Sequence, residues 1–191
     1  MRMRGVTMQF ARLALIVAFG FALGSVAPGA HAQNKENLLI MQTSEGGPVV
    51  IEMRPDLAPK TVAHIKQLVR QKFYDGIVFH RVIAGFMAQT GDPTGTGGGG
   101  SPLGPIKAEF NNEPHVRGTV SMARTSDPDS ADSQFFICYA PQPYLDHQYT
   151  VWGKVISGME YIDKLRKGAG QSGKVANPDK IVTLRVAADA Q

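Results

Sequence analysis

The chain has 191 residues, enough for one domain with a substantial apolar core. Its 20 Lys and Arg residues outnumber its 16 Asp and Glu residues, but three of the basic ones and none of the acidic ones fall within the first 32 positions. The rest of the chain is nearly neutral, which argues against a nucleic-acid or membrane-surface partner. The single cysteine, Cys138, excludes an intrachain disulfide, and its apolar surroundings indicate a small buried side chain.

The first 32 residues predict a secretory signal peptide. Three arginines and no acid accompany an almost continuous apolar run over residues 13–27, and Ala30-His31-Ala32 supplies the small residues of a cleavage site. The run is shorter than the ~20 residues that span a bilayer, so we expect cleavage after Ala32 and no stable membrane insertion. The prediction is a signal peptide over residues 1–32, a mature domain over residues 33–191 and a periplasmic location.

The mature chain opens with two strand-like runs, residues 37–43 and 48–54, around a Ser-Glu-Gly-Gly turn that is typical of a hairpin. The apolar period then changes to that of a helix over residues 56–72. Further strands are predicted over residues 118–123, 134–139, 149–155 and 180–187, and a second helix over residues 158–167. About eight strands with two helices predict one mainly β domain, closed or sandwiched, with the helices capping it.

The stretch over residues 78–100 is a dense apolar run that carries Arg81 and then passes into glycines. The run predicts a strand interrupted at Gly85, in which Arg81 and Val82 point to opposite faces. A guanidinium among apolar neighbours is costly to desolvate unless it has a partner or a task. Arg81 is therefore either functional or the partner of a buried acid such as Asp92 or Glu109.

Other sites have little support in the sequence. The glycines of residues 95–100 fit the dinucleotide fingerprint, but that motif must lead into a helix, and Pro102 and Pro105 argue against one. The histidines show no metal-ligand spacing, and Ser121 has no evident base, so neither a metal site nor hydrolase chemistry is predicted.

Three motifs together resemble the cyclophilin family of peptidyl-prolyl cis–trans isomerases. They read Phe79-His80-Arg81-Val82-Ile83 with Gly85-Phe86-Met87-x-Gln89-x-Gly91-Asp92, then Gly118-Thr-Val-Ser-Met-Ala-Arg124, then Ser133-Gln-Phe-Phe-Ile137. The resemblance covers residues 37–186. It implies a closed eight-stranded antiparallel β-barrel capped by two α-helices, and, with the export signal, similarity to exported bacterial members that assist protein folding.

The resemblance also implies roles for individual residues. Arg81 occupies the position of the catalytic arginine. The proline pocket corresponds to Phe86, Met87, Phe136 and Leu145, and the residues that hold the substrate backbone correspond to Gln89, Gln134, Ala123 and Arg124. Tyr144 and Tyr149 stand where a tryptophan and a histidine are frequent, and Arg124 replaces an asparagine. The missing indole predicts weak binding of cyclosporin.

The implied reaction needs no cofactor and no metal. An X–Pro amide rotates over a barrier of ~18–20 kcal/mol, and a donor near the proline nitrogen helps only when the bond is twisted. We expect a monomer whose partners are proline-containing peptides and exported proteins that are still folding, with no nucleic acid. The alternative is a non-enzymatic proline-peptide binder or holdase chaperone. On composition alone, the four pocket residues would be ordinary core and Gln134 would satisfy a strand edge.

Overall fold

In the computed structural model, which describes residues 34–190, eight strands form one curled sheet, and all of their ladders are antiparallel. The strands are β1 (Leu38–Thr43), β2 (Gly46–Met53), β3 (Arg81–Ile83), β4 (Met87–Thr90), β5 (Thr119–Met122), β6 (Phe135–Cys138), β7 (Val151–Ser157) and β8 (Ile181–Val186). Their order in the sheet is β3-β4-β6-β5-β7-β2-β1-β8. The mainly β prediction with eight antiparallel strands is confirmed. The predicted signal peptide lies outside the described residues.

The prediction of a closed barrel is wrong, because the sheet is an open half-barrel with β3 and β8 as its edges. The outward-facing backbone groups of β3 are already occupied by a loop. Val82 N donates to Gly173 O, and Val82 O accepts from Gly168 N, both at 2.8 Å. Within residues 34–190, no ladder joins β3 to β8, and the residues just before them meet in an isolated bridge, Val78 with Lys180. The loop therefore satisfies the edge that a closed ladder would need.

The strand that is predicted to be interrupted at Gly85 is a pair of strands, β3 and β4, in the structure. The chain turns at Gly85, whose φ of 71° is in the left-handed region that glycine adopts without a steric penalty. β3 and β4 then pair as a hairpin, with Arg81 opposite Gln89 and Ile83 opposite Met87. This hairpin brings two of the predicted polar site residues face to face.

The two helices are α1 (Pro59–Arg70) and α2 (Met159–Lys164), both shorter than predicted. Pro59 suits the first turn of α1, where its missing N–H would be unpaired anyway. The residue at the N-terminal cap of α1, Ala58, has no side-chain hydrogen bond to the first N–H groups of the helix. Glu109 does so from a distant loop, accepting from Lys60 N at 3.0 Å and Thr61 N at 2.8 Å. Neither helix of the described residues is long and apolar enough to cross a membrane.

The main core lies between the inner face of the sheet and α1. The apolar stripe predicted for the helix is buried there, through Val62, Ile65, Leu68 and Val69. Val82 of β3 is fully buried in the same core, while Arg81 is only partly buried, as strand alternation predicts. Strands β4 and β6 fill this core with one face, and their other face carries a second apolar cluster.

Candidate active site

A second apolar cluster occupies the opposite face of β4 and β6. On β6, Phe135 and Ile137 enter the main core, so Phe136 and Cys138 point the other way. The cluster consists of Met87, Phe136, Cys138 and Leu145, with Ile83, Phe86, Ala123 and Tyr149 packed against it. Residues that composition alone would assign to an ordinary core therefore form a distinct apolar patch near the surface.

This cluster forms the floor of a surface pocket of ≈ 120 Å³. The pocket is lined by Arg81, Phe86, Met87, Gln89, Ala123, Arg124, Phe136, Leu145 and Tyr149. The other two predicted site residues lie beside it. Gln134 lines an adjoining pocket, and Tyr144 is 59% exposed with its ring centroid 6.0 Å from that of Phe86. The structure thus gathers all the predicted site residues in one region.

Arg81 is held at the edge of the pocket by neutral groups. Its Nε donates to Ser172 O at 3.0 Å, and its Nη1 donates to Gln89 Oε1 at 3.3 Å. The guanidinium carbon lies 5.9 Å from the ring centroid of Phe86, within cation–π range. Within residues 34–190, Nη2 of Arg81 has no hydrogen-bond partner.

The two acids considered as buried partners of Arg81 are engaged elsewhere, and Arg81 forms no salt bridge within the described part of the chain. Glu109 caps α1. Asp92 is buried and accepts from Thr94 N, Thr94 Oγ1 and Gly97 N. Burial raises the pKa of Asp92, but these hydrogen bonds outweigh it and lower the pKa to about 2. The charge of Arg81 is therefore not neutralised by an internal acid.

Arg124 lines the same pocket as Arg81. Its guanidinium carbon lies 4.7 Å from the ring centroid of Tyr149, and its Nη2 donates to Gln148 O at 2.9 Å. The adjoining pocket, of ≈ 380 Å³, begins at Gln89 and Arg124 and is lined by the glycine tract and by Asp127 and Asp129. Sequence reasoning missed this second pocket. The signal that the sequence offered for it was the polar, turn-like run of residues 124–132, directly after the strand predicted over residues 118–123.

A histidine lies beside Ser121, a neighbour that the sequence does not reveal. His115 Nε2 lies 3.1 Å from Ser121 Oγ, and His115 Nδ1 lies 2.9 Å from Asp146 Oδ1. Ser121 is fully buried, however, and its Oγ also donates to Thr150 O at 2.9 Å, so it offers no accessible nucleophile. The His115 ring stacks on Phe136 with centroids 6.0 Å apart, and its pKa is lowered by burial despite the opposing carboxylate. The side chains of Ser121, His115 and Asp146 are therefore structural, and they support Phe136 from behind the pocket.

The chemistry that the pocket offers is binding and hydrogen-bond donation. Cys138 lies under the floor, fully buried, where burial raises its pKa to about 12, so it is not a reactive thiolate. In residues 34–190 no group of three or more His, Cys, Asp or Glu side chains is placed to hold a metal ion. The pocket can accept a small apolar ring and present two guanidinium groups and the amide of Gln89 beside it, while the amide of Gln134 lies in the adjoining pocket.

A half-barrel with an arginine beside an apolar surface pocket defines a protein of the cyclophilin class. The family model described as "Cyclophilin type peptidyl-prolyl cis-trans isomerase/CLD" matches residues 38–186. The chain therefore belongs to the cyclophilin family, and its activity is peptidyl-prolyl cis–trans isomerisation.

Two bacterial relatives and one solved structure agree with this assignment to the cyclophilin family. The chain is 48% identical to a probable peptidyl-prolyl cis-trans isomerase of Brucella suis, over 96% of this chain and 100% of the relative. It is 45% identical to peptidyl-prolyl cis-trans isomerase B of Bacillus subtilis, over 65% of this chain and 87% of the relative. A crystallised cyclophilin of Hirschia baltica superposes with a TM-score of 0.74 at 31% identity, covering 83% of this chain and 76% of its own.

A second solved neighbour carries information about ligands. A cyclophilin-type isomerase of Cryptosporidium parvum, crystallised in the presence of the dipeptide Ala-Pro, superposes with a TM-score of 0.72 at 32% identity. The match covers 78% of this chain and 98% of that one.

Proposed function

We propose that this isomerase twists an X–Pro bond in the ≈ 120 Å³ pocket, with Arg81 as its catalytic residue. The proline ring rests on Phe86, Met87, Phe136 and Leu145. The substrate backbone lies along Ala123 and Arg124 and is held by Gln89 and Gln134. Tyr144 and Tyr149 border the groove. The neighbour crystallised with Ala-Pro supports proline-containing peptides as the ligand class.

The observation that carries the role of Arg81 is that, among residues 34–190, no acid neutralises its guanidinium and no group accepts from its Nη2, at the edge of an apolar pocket. Rotation requires the proline nitrogen to lose amide resonance and expose a lone pair. A donor aimed at that lone pair stabilises the twisted state and not the planar ground states. A guanidinium has only donors and no acceptor, so Arg81 can act on the lone pair only as a donor.

The magnitudes are consistent with this assignment. Acceleration from ~0.01 s⁻¹ to ~10 s⁻¹ requires a barrier lower by about 4 kcal/mol. One hydrogen bond from a charged donor supplies about 1.5–3 kcal/mol. The remainder comes from an apolar pocket that excludes water and from a fixed substrate carbonyl. Neither a nucleophile nor a cofactor enters the mechanism.

The cellular role that we propose is to assist proteins that fold after export, in the periplasm and as a monomer. It rests on the basic, apolar and small-residue pattern of residues 1–32. Intact-mass measurement of the protein recovered from a periplasmic fraction tests it. The expected mass is that of a chain that begins at Gln33. An uncleaved chain held in the membrane fraction contradicts the proposal.

The alternative, a holdase that binds proline-rich segments without catalysis, is separated by Arg81→Ala. An enzyme loses most of its turnover of an X–Pro peptide while its far-UV circular dichroism stays unchanged. A holdase suppresses aggregation of an unfolded test protein equally well with or without the guanidinium. Retained turnover in Arg81→Ala would show that the assigned mechanism is wrong.

A further inference from the structure

A continuous chain of hydrogen bonds runs from a buried carboxylate to Arg81. Gly97 N donates to Asp92 Oδ2, and Gly97 O accepts from Gln134 Nε2 at 3.0 Å. Gln134 Oε1 accepts from Gln89 Nε2 at 2.9 Å, and Gln89 Oε1 accepts from Arg81 Nη1 at 3.3 Å. Five residues are linked, four of them within residues 81–97 and the fifth, Gln134, just before β6, and each link has one donor and one acceptor.

The chain of bonds has a direction that both ends impose. A backbone carbonyl only accepts, so the NH₂ group of Gln134 must face Gly97 O and Gly99 O, the latter at 2.8 Å. Its oxygen then faces Gln89, whose NH₂ group must turn towards it. The remaining oxygen of Gln89 faces Arg81, which only donates. A reversed amide at either glutamine would set donor against donor or acceptor against acceptor.

Two positions of the glycine tract, 99 and 100, require glycine because a carboxylate lies against each of them. A Cβ atom at Gly99 would clash with Asp92 Oδ1, and one at Gly100 would clash with Asp132 Oδ2. Gly98 differs, since the nearest atom to its Cβ would be Thr96 Oγ1 at 3.7 Å, an ordinary contact. The tract is therefore built to bring its carbonyls to fixed positions beside Gln134.

We propose that Asp92 and the backbone carbonyls of Gly97 and Gly99 are positioning elements of the active site, which act through Gln134 and Gln89 to fix the guanidinium of Arg81. These carbonyls align the two amides, and the aligned amides present an oxygen that holds Nη1. Nη2, which has no hydrogen-bond partner within residues 34–190, is left to donate to the substrate. This assignment gives a function to a motif that the isomerase pocket itself does not use, and it rests on the proposed role of Arg81.

The first test is Gln134→Glu, which makes the chain of bonds depend on pH. A neutral carboxyl keeps one donor for the glycine carbonyls and one acceptor for Gln89. An ionised carboxyl has only acceptors and is repelled by those carbonyls. We expect the side-chain NH₂ signals of Gln89 in the NMR spectrum of the free protein to match those of the wild type at about pH 3.5 and to move by about pH 7.5. The wild-type signals, titrated in parallel, stay in place.

The second test compares neighbouring glycines. At about pH 7.5, Gly99→Ala should lower kcat/KM by about tenfold, the equivalent of one lost hydrogen bond, and shift the Gln89 signals. Gly98→Ala should stay within about twofold of the wild type, because its methyl group meets no clash. Unmoved Gln89 signals in Gln134→Glu, or equal kcat/KM in the two alanine variants, would overturn the proposal.

The outcomes separate this proposal from the function of Arg81. The NMR test uses the free protein and needs no catalysis. If Arg81→Ala keeps full activity while the Gln89 signals titrate in Gln134→Glu, the role of Arg81 fails and the chain of bonds stands. If Arg81→Ala is inactive while the Gln89 signals do not respond, the chain of bonds fails and the role of Arg81 stands.

Discussion

Replacing Asp92 by asparagine should make the protein less stable at neutral pH and less sensitive to acid. Asp92 is 1% exposed and accepts three hydrogen bonds, one of them from Gly97 N. Its pKa is lowered from 3.8 to about 2, because those bonds outweigh the effect of burial. A shift of that size corresponds to about 2 kcal/mol of stability at neutral pH. The amide of asparagine can replace only one of the two acceptor oxygens.

The sign of the pH dependence follows from the lowered pKa. Between about pH 4 and pH 2 the unfolded chain binds a proton at Asp92 and the folded chain does not, so the stabilisation is lost as the pH falls through this window. Urea unfolding at several pH values between 6 and 2 measures it. The wild type should exceed Asp92→Asn by at least about 2 kcal/mol at pH 6, and the gap should narrow towards pH 2. Asp127→Asn, on an exposed loop, controls for the loss of one negative charge. A gap that stays constant with pH would refute the reasoning.

Three further predictions concern the pocket and its support. Cys138 is fully buried with a pKa raised to about 12, so a thiol reagent at pH 8 should modify the urea-unfolded protein and not the native one; rapid native labelling contradicts this. Glu109→Ala should lower the free energy of unfolding by about 1–2 kcal/mol in urea titrations, since it removes the cap of α1, and an unchanged midpoint argues against that cap. Tyr144→Trp should tighten cyclosporin binding about tenfold by calorimetry, because Tyr144 is exposed beside Phe86; equal affinity shows that the indole contact is not limiting.

Strand alternation predicted much of the fold and of the site. A period of two placed Val82 in the core and Arg81 on the other face, and the structure has them so. The same rule on β6 separates Phe135 from Phe136, which divides the main core from the pocket floor. These features depend on neighbours in the sequence, which is why a local pattern can reveal them.

The rest depends on contacts between distant segments. The prediction of a closed barrel was wrong because a loop, through Gly168 and Gly173, occupies the outward-facing backbone groups of β3. The partner of Ser121 was missed because His115 and Asp146 meet it from other segments. No periodicity in the sequence records which loop reaches an edge or which side chain crosses to another strand.

The role of Arg81 is tested most directly by separating binding from rotation in Arg81→Ala. NMR exchange measurements on a proline-containing peptide give, in one sample, its Kd and the rate of cis–trans exchange while it is bound. If the guanidinium stabilises only the twisted amide, the Kd stays within about threefold of the wild type, while the bound exchange rate falls by about 10- to 100-fold, the loss of one charged hydrogen bond. A weakened Kd with an unchanged bound exchange rate would contradict the account.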